Sequence, residues 1–291
     1  MVVEDMPGHG IAAQKLIVIE PSSRWRGPAW EELWSYRELL LFFIWRDIKV
    51  RYKQTVLGAA WAILQPVLAM VIFTIFFGHM ARVPSNGLPY PLFSYAGLLV
   101  WTFFAQATGQ AAQSLVGSAQ LITKVFFPRA LVPTAAVMGG LVDLAVASPL
   151  ILLLMARYGV WPGWHVLFAP VYVLLAVATA EGVGLWLSAL NVEYRDVRYL
   201  VPFLIQLWLF VTPVIYPASL ALPMLKRVGV PGWVLGLNPM VGVVEGFRAA
   251  VLGTTGAPAD LLLASTLSAA AILISGTYYF RSVARSFADV V

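Results

Sequence analysis

Two carboxylates stand in stretches otherwise suited to a membrane interior: Asp143 within residues 130–156 and Glu181 within residues 166–190. An ionised side chain at the centre of a bilayer costs about 2.5–3.5 kcal/mol on insertion scales, so such groups face a packed bundle or a cavity. Asp143 and Glu181 read either as a substrate-path or gating pair, or as polar contacts between packed helices. Around Glu181, Ala178/Gly182 and Ala180/Gly184 give the small-xxx-small spacing that lets helices approach closely, which favours packing there. Other chemistry is missing. The histidines, His9, His79 and His165, have no ligand spacing, and without a cysteine no thiolate metal site or disulfide is possible. No lysine follows a glycine, so the Gly-Lys-Ser/Thr of a phosphate-cradling loop is absent. No two aspartates stand two apart, which removes the metal-binding Asp-x-Asp of many sugar transferases. These residues predict no catalysis and no cofactor on the chain.

Aromatic side chains offer a different chemistry. Clusters occur at Phe73/Phe76/Phe77, at Trp101/Phe103/Phe104 and at Trp208/Phe210. Ring faces stack against the C–H edges of sugars, so Trp101, Phe104, Trp208 and Phe210 are candidates for a sugar-compatible path. An ordinary aromatic belt at the membrane surfaces is the alternative. The segment from Lys124 through Phe126 and Phe127 to Arg129 is short, basic and aromatic. It suits docking into a partner's groove, and equally an anchor beside the membrane.

These residues need elements to hold them, and composition says which solvent surrounds those elements. Of the 291 residues 60% are hydrophobic and 11% charged, with a mean hydropathy of +0.81. A soluble domain carries roughly 25% charge, so water is not the main solvent. A spanning helix needs about 20 mostly apolar residues. Six stretches qualify: 56–80, 91–111, 130–156, 166–190, 199–220 and 261–280. With both ends cytoplasmic, that side holds 14 of the 19 Lys and Arg residues and the outside 5 (Arg82, Arg157, Lys226, Arg227 and Arg248). The positive-inside rule therefore predicts cytoplasmic termini. The charged residues of 1–37 exclude a cleavable signal. A net charge of +5 lying in short loops gives no nucleic-acid surface.

Two further segments are expected not to cross. In 30–52, Trp30, Leu33, Trp34, Leu41, Ile44, Trp45, Ile48 and Tyr52 recur at helical period opposite Glu31, Glu32, Glu38, Arg46, Lys49 and Lys53. That pattern predicts an amphipathic helix in the membrane interface. In 238–253, Asn238 caps the start, Pro239 suits the first turn and Gly253 the stop. Met240, Val244, Phe247 and Val251 form an apolar stripe, which predicts a short outward-side re-entrant or interfacial helix. The expected fold is all-α and integral to the membrane. Its parts are a cytoplasmic segment 1–29, an interface helix 30–54 and a six-helix domain 55–291.

Several stretches resemble one family. They are Trp45-Arg46-Asp47-Ile48-Lys49-Val50-Arg51-Tyr52-Lys53-Gln54-Thr55 with Leu57-Gly58-Ala59-Ala60-Trp61, Leu121-Ile122-Thr123-Lys124-Val125-Phe126-Phe127-Pro128-Arg129, Asn191-Val192-Glu193-Tyr194-Arg195-Asp196-Val197-Arg198-Tyr199, Thr212-Pro213-Val214-Ile215-Tyr216-Pro217 and Leu237-Asn238-Pro239-Met240. They look like the permease subunits of ABC exporters for O-antigen, capsule and teichoic-acid polymers. The resemblance implies an inner-membrane homodimer that moves lipid-linked polysaccharide, with ATP and Mg bound by two copies of a separate ATPase. It implies a coupling helix over 118–127 that begins at Ser118 and presses Leu121, Ile122, Lys124, Phe126 and Phe127 toward the ATPase, with Arg195 and Asp196 as a second contact. It also implies an outward gate that includes Asn238, Glu245 and Arg248, the last two at pairing distance on a helix. An ABC exporter of drugs or lipids, an ion-coupled transporter using Asp143 and Glu181, and a membrane enzyme on lipid-linked sugars are the competing readings. The matching half-repeats of many ion-coupled transporters are not evident.

Overall fold

The computed structural model describes residues 34–284 apart from 54, 56, 57, 126 and 255, and every regular element among them is helical. The expected segment 1–29, the start of the interface helix at 30–33, and Phe126 lie outside the described residues.

In chain order the helices are α1 (Arg37–Tyr52), α2 (Ala60–Phe73, continued by a π-helical turn Thr74–Met80), α3 (Tyr90–Gly117), α4 (Ala119–Lys124) and α5 (Leu131–Tyr158). There follow α6 (Ala169–Glu193, led in by a 3-10 turn Trp164–Phe168), α7 (Val197–Val211), α8 (Ala218–Arg227), a 3-10 turn Gly232–Leu237, α9 (Pro239–Leu252) and α10 (Ala259–Val283). Among the described residues four stretches are long and apolar enough to cross a membrane: Ala60–Met80, Leu131–Tyr158, Trp164–Glu193 and Ala259–Val283.

The other two expected spans differ from those four, each for a physical reason. Helix α3 has 28 residues, about 42 Å at 1.5 Å per residue, but it is less apolar because it is the hub. It packs against α5, α6, α9 and α2, and almost every residue from Tyr90 to Trp101 is buried. Inside that hub polar side chains find partners, as where the Tyr95 hydroxyl donates to the Ala147 carbonyl at 2.8 Å. Helix α7 was expected to run to residue 220 and stops at Val211, because Thr212 turns to extended backbone ahead of Pro213, which has no N–H to continue the ladder. Its 15 residues reach only about 22 Å.

Helices α6 and α10 run side by side in the same direction. A Cβ added at Gly182 would meet the Leu273 Cα at 2.7 Å, and one at Gly184 would meet the Ala111 Cβ at 2.7 Å. Gly276 lies against the Gly182 carbonyl from the other side. The small-residue spacing read from the sequence therefore does form a close contact. Two apolar cores result. The larger is built around α3, α5, α6 and α9. The smaller gathers Phe43, Leu115, Ile122, Phe127, Leu131, Leu185, Val192 and Phe280 where α1, α3, α4, α5, α6 and α10 converge. That convergence carries Lys124, Arg195 and Arg281 and forms the basic end of the bundle. Tyr90, the loop 212–217, α8 and α9 lie at the far end.

Candidate functional site

The two intramembrane carboxylates do not meet. Asp143 accepts from the Arg51 guanidinium through one oxygen and from the Tyr52 hydroxyl through the other, while Arg51 also donates to the Gln110 side chain. Asp143 is 12 residues along α5 from Leu131, roughly 18 Å into the bundle. The end of α1 reaches this depth because α1 lies against the first half of α5, with Phe43 edge-on to Phe127 at 5.4 Å. Glu181 instead sits alone against Thr134, whose hydroxyl donates to Oε1 at 2.5 Å, and Oε2 has no partner among the described residues. The two groups thus have unlike surroundings and are not a pair.

Beside Asp143 opens a cavity of about 300 Å³ lined by Arg51, Tyr52, Trp61, Gln65, Gln106 and Gln110, among others. Gln106 donates to the Gln65 side-chain oxygen at 2.7 Å. These glutamines were missed in the sequence. Their signal was there: Gln106 and Gln110 stand one helical turn apart inside an otherwise apolar stretch, where each amide is costly unless it is used.

The interface helix needs a correction. The stripe Trp34, Leu41 and Trp45 is exposed, not packed on protein, and with Phe42 it forms an open apolar face. A second group, Tyr36, Leu39, Leu40, Phe43 and Ile44, lies against the bundle. Arg46 pairs with Asp47 at 2.8 Å and lies over the Phe43 ring at 4.9 Å, and the Lys49 ammonium lies over Trp45 at 4.4 Å. Helix α1 is therefore apolar on two sides, one for the bundle and one open, instead of apolar against polar.

At the basic end, the expected coupling helix is the short α4, which starts after Ser118. The expectation that Leu121, Ile122 and Phe127 are all offered to a partner is overturned. Ile122 and Phe127 are each 6% exposed and fill the smaller core, with Leu121 packed partly against it. What α4 and the next residue present outward is Gln120, Thr123, Lys124 and Val125. Arg129 donates to the Ala284 carbonyl, tying this segment to the end of α10. Arg195 and Asp196 are exposed nearby, after Asn191 at the end of α6 donates to the Ala112 carbonyl of α3 at 2.8 Å. In the same loop a hydrogen bond with Glu193, and then its charge, push the exposed Tyr194 phenol above its usual range.

At the far end, α9 begins and ends as its sequence requires. The Asn238 side chain accepts from the Met240 amide at 3.1 Å, and Gly253 closes the helix at φ +68°. The expected single stripe is overturned, because all but one of its 14 residues are buried. Within the chain helix α9 is surrounded by α3, α6 and α10. Within it Glu245 and Arg248 form a buried ion pair at 2.8 Å. Arg248 also donates to the Pro213 carbonyl at 3.2 Å and to the Val214 carbonyl at 3.1 Å, with its guanidinium 3.7 Å from the Phe93 ring centre. Glu245 accepts from the Ala218 amide at 3.0 Å, and Tyr90 donates to the Ile215 carbonyl at 2.7 Å. Asn238 accepts from the Trp208 indole and donates to Thr212, both at 2.9 Å. The loop 212–218 is thus held from α3, α7 and α9 together. Tyr90 and Phe93 were not singled out in the sequence, because nothing there says which aromatic will lie over a buried cation.

The four candidate path aromatics do not share one surface. Phe104 is fully buried and Trp101 is 5% exposed, with ring centres 5.4 Å apart, and Trp208 meets Phe104 edge-on at 5.0 Å. Only Phe210 is open, on the exposed face of α7 with Tyr199, Phe203 and Leu207.

The amino-acid sequence matches known proteins. The model of the ABC-2 type transporter family matches residues 38–252. The chain is similar to the O-antigen export system permease protein RfbA of Myxococcus xanthus, at 33% identity over 89% of this chain and 98% of that protein. A Klebsiella pneumoniae protein of the same name is 29% identical over 72% of this chain and 79% of its own length. The polysialic acid transport protein KpsM of Escherichia coli is 22% identical over 71% and 78%.

Proposed function

As the chain belongs to the ABC-2 type transporter family, we propose that it is the membrane subunit of an ATP-driven exporter of lipid-linked polysaccharide, of the O-antigen or capsule type. The observation that carries this is the likeness to the Myxococcus xanthus permease, which runs through 98% of that protein's length. The sequence holds no phosphate-binding Gly-Lys, which is consistent with ATP and Mg being bound by a separate ATPase.

In this reading the chain crosses the inner membrane six times with both termini in the cytoplasm, α7 completing its crossing through the irregular loop 212–217. Two copies pair, and each meets one ATPase at the basic end. Force applied to α4 reaches α1, α5, α6 and α10 at once, because the side chains of the smaller core are shared among them. The loop 212–218, held by Arg248, Glu245, Tyr90 and Asn238, is the part that closes the outward end. The chain supplies path and gate and makes or breaks no bond. The open faces of α2 and α7 are the surfaces available for the second copy or for lipid.

The test is co-expression with a candidate partner ATPase from the same organism, followed by reconstitution in proteoliposomes. Lipid-linked glycan should stimulate ATP hydrolysis and cross the membrane only with ATP. Transport of small hydrophobic compounds with no response to glycan would replace this reading with a drug exporter. Glycan movement driven by an ion gradient without ATP would replace it with a secondary transporter.

A further inference from the structure

Resting on that function, we propose that the cavity between α1, α2, α3 and α5 is a binding subsite for a neutral sugar unit of the glycan, formed by Gln65, Gln106, Gln110 and the face of Trp61. Its volume, about 300 Å³, stands at the lower edge of the roughly 300–1,000 Å³ usual for small-ligand sites.

The ligand class follows from what the lining groups have left to offer. Among the described residues Arg51 is the sole cation on the lining, and its two terminal nitrogens donate one hydrogen bond each, to Asp143 and to Gln110. Asp143 in turn has both oxygens occupied, by Arg51 and by Tyr52. The pair is neutral as a unit, so it offers no net charge to a phosphate or a metal ion. The amides are different. Gln65 keeps its two N–H donors, Gln106 keeps its oxygen, and Gln110 keeps its N–H donors, since the hydrogen bond between Gln106 and Gln65 uses only one group of each. Donors and acceptors alternating across a few ångströms match hydroxyls, which both give and accept hydrogen bonds. Trp61 stands one helical turn before Gln65 on α2 and is 51% exposed, so an indole face is available for the C–H side of a ring. Three amides on one lining with Asp143 are expensive in an apolar setting unless something satisfies them. A passing chain of sugars does so transiently, which suits a path better than a tight site.

The test uses the full complex, and it exploits the absence of cysteine from the chain. Gln106→Cys and, separately, Gln65→Cys each give a single thiol, labelled with a small maleimide in vesicles. The partner ATPase carries a hydrolysis-blocking substitution so that the substrate stalls in the path. One set of vesicles comes from cells making the lipid-linked glycan, a second from cells blocked before the first sugar, and a third is the second loaded with polyprenyl pyrophosphate. Labelling at whichever position assembles with the ATPase should be about tenfold slower with glycan, the protection of a site nine-tenths filled. It should be unchanged by the sugar-free carrier. Equal protection by the carrier alone would overturn the assignment in favour of its headgroup. Unchanged labelling in all three sets, with export by the hydrolysing wild-type complex intact, would remove the subsite and leave the function standing. Absence of any glycan export by the wild type would remove both.

Discussion

Replacing Arg248 with leucine tests whether the buried ion pair holds the far end together. Arg248 is 1% exposed and Glu245 is 6% exposed, so neither can turn to water when the other is lost. Removing Arg248 leaves the Glu245 carboxylate with only the Ala218 amide, and it orphans the Pro213 and Val214 carbonyls. Breaking a buried pair from one side costs about 3–5 kcal/mol, most of it the penalty of the abandoned charge. Glu245→Gln is milder. It leaves the guanidinium its two carbonyls and the Phe93 ring and trades a charged acceptor for a neutral one, about 1–3 kcal/mol. Since the main cost of Arg248→Leu is the stranded carboxylate, adding Glu245→Gln to it should restore part of the loss. The double variant should be more stable than Arg248→Leu alone. Unfolding can be followed by intrinsic tryptophan fluorescence of the purified complex during a denaturing-detergent titration. The reasoning fails if Arg248→Leu lies within about 1 kcal/mol of wild type, or if the two substitutions simply add.

Three other outcomes follow from the packing. Gly182→Val drives side-chain carbons into the Leu273 backbone, 2.7 Å from where a Cβ would sit; this should destabilise by at least about 1–3 kcal/mol and lower the yield of folded protein, and a normal yield and melting curve would refute the close α6–α10 contact. Phe127→Ala, in the smaller core at 6% exposure, should cost about 3–5 kcal/mol of stability, whereas cysteines replacing Thr123 or Val125 should cross-link to the ATPase in a folded complex; a cross-link from Ile122 and none from Thr123 or Val125 would reverse the assignment of the α4 faces. Cysteines at Ser85 and Ser219 should react with an impermeant maleimide in intact cells, and one at Thr123 only after permeabilisation; the opposite pattern would invert the topology.

What the sequence determined by itself is the solvent and the stops. Long charge-poor stretches cannot face water, so 56–80, 130–156, 166–190 and 261–280 read as membrane-length helices, and helices occupy all four. The ends of α9 were legible because a capping Asn238 and a left-handed Gly253 act through backbone geometry a few residues away. The small residues near Glu181 announced a close contact for a similar reason, since only a missing side chain lets backbones approach. Partners were not legible. Nothing along the chain joins Arg51 to Asp143, 92 residues away, or Arg248 to Phe93, and nothing shows that Ile122 and Phe127 turn inward while Lys124 stays out. Periodicity marks an apolar face without saying whether lipid, the bundle or a partner covers it, and α1, with two apolar faces, misled for that reason. Local rules set each helix and its ends, but which charge meets which carboxylate is settled only when helices far apart in the chain pack and each buried polar group must find a partner.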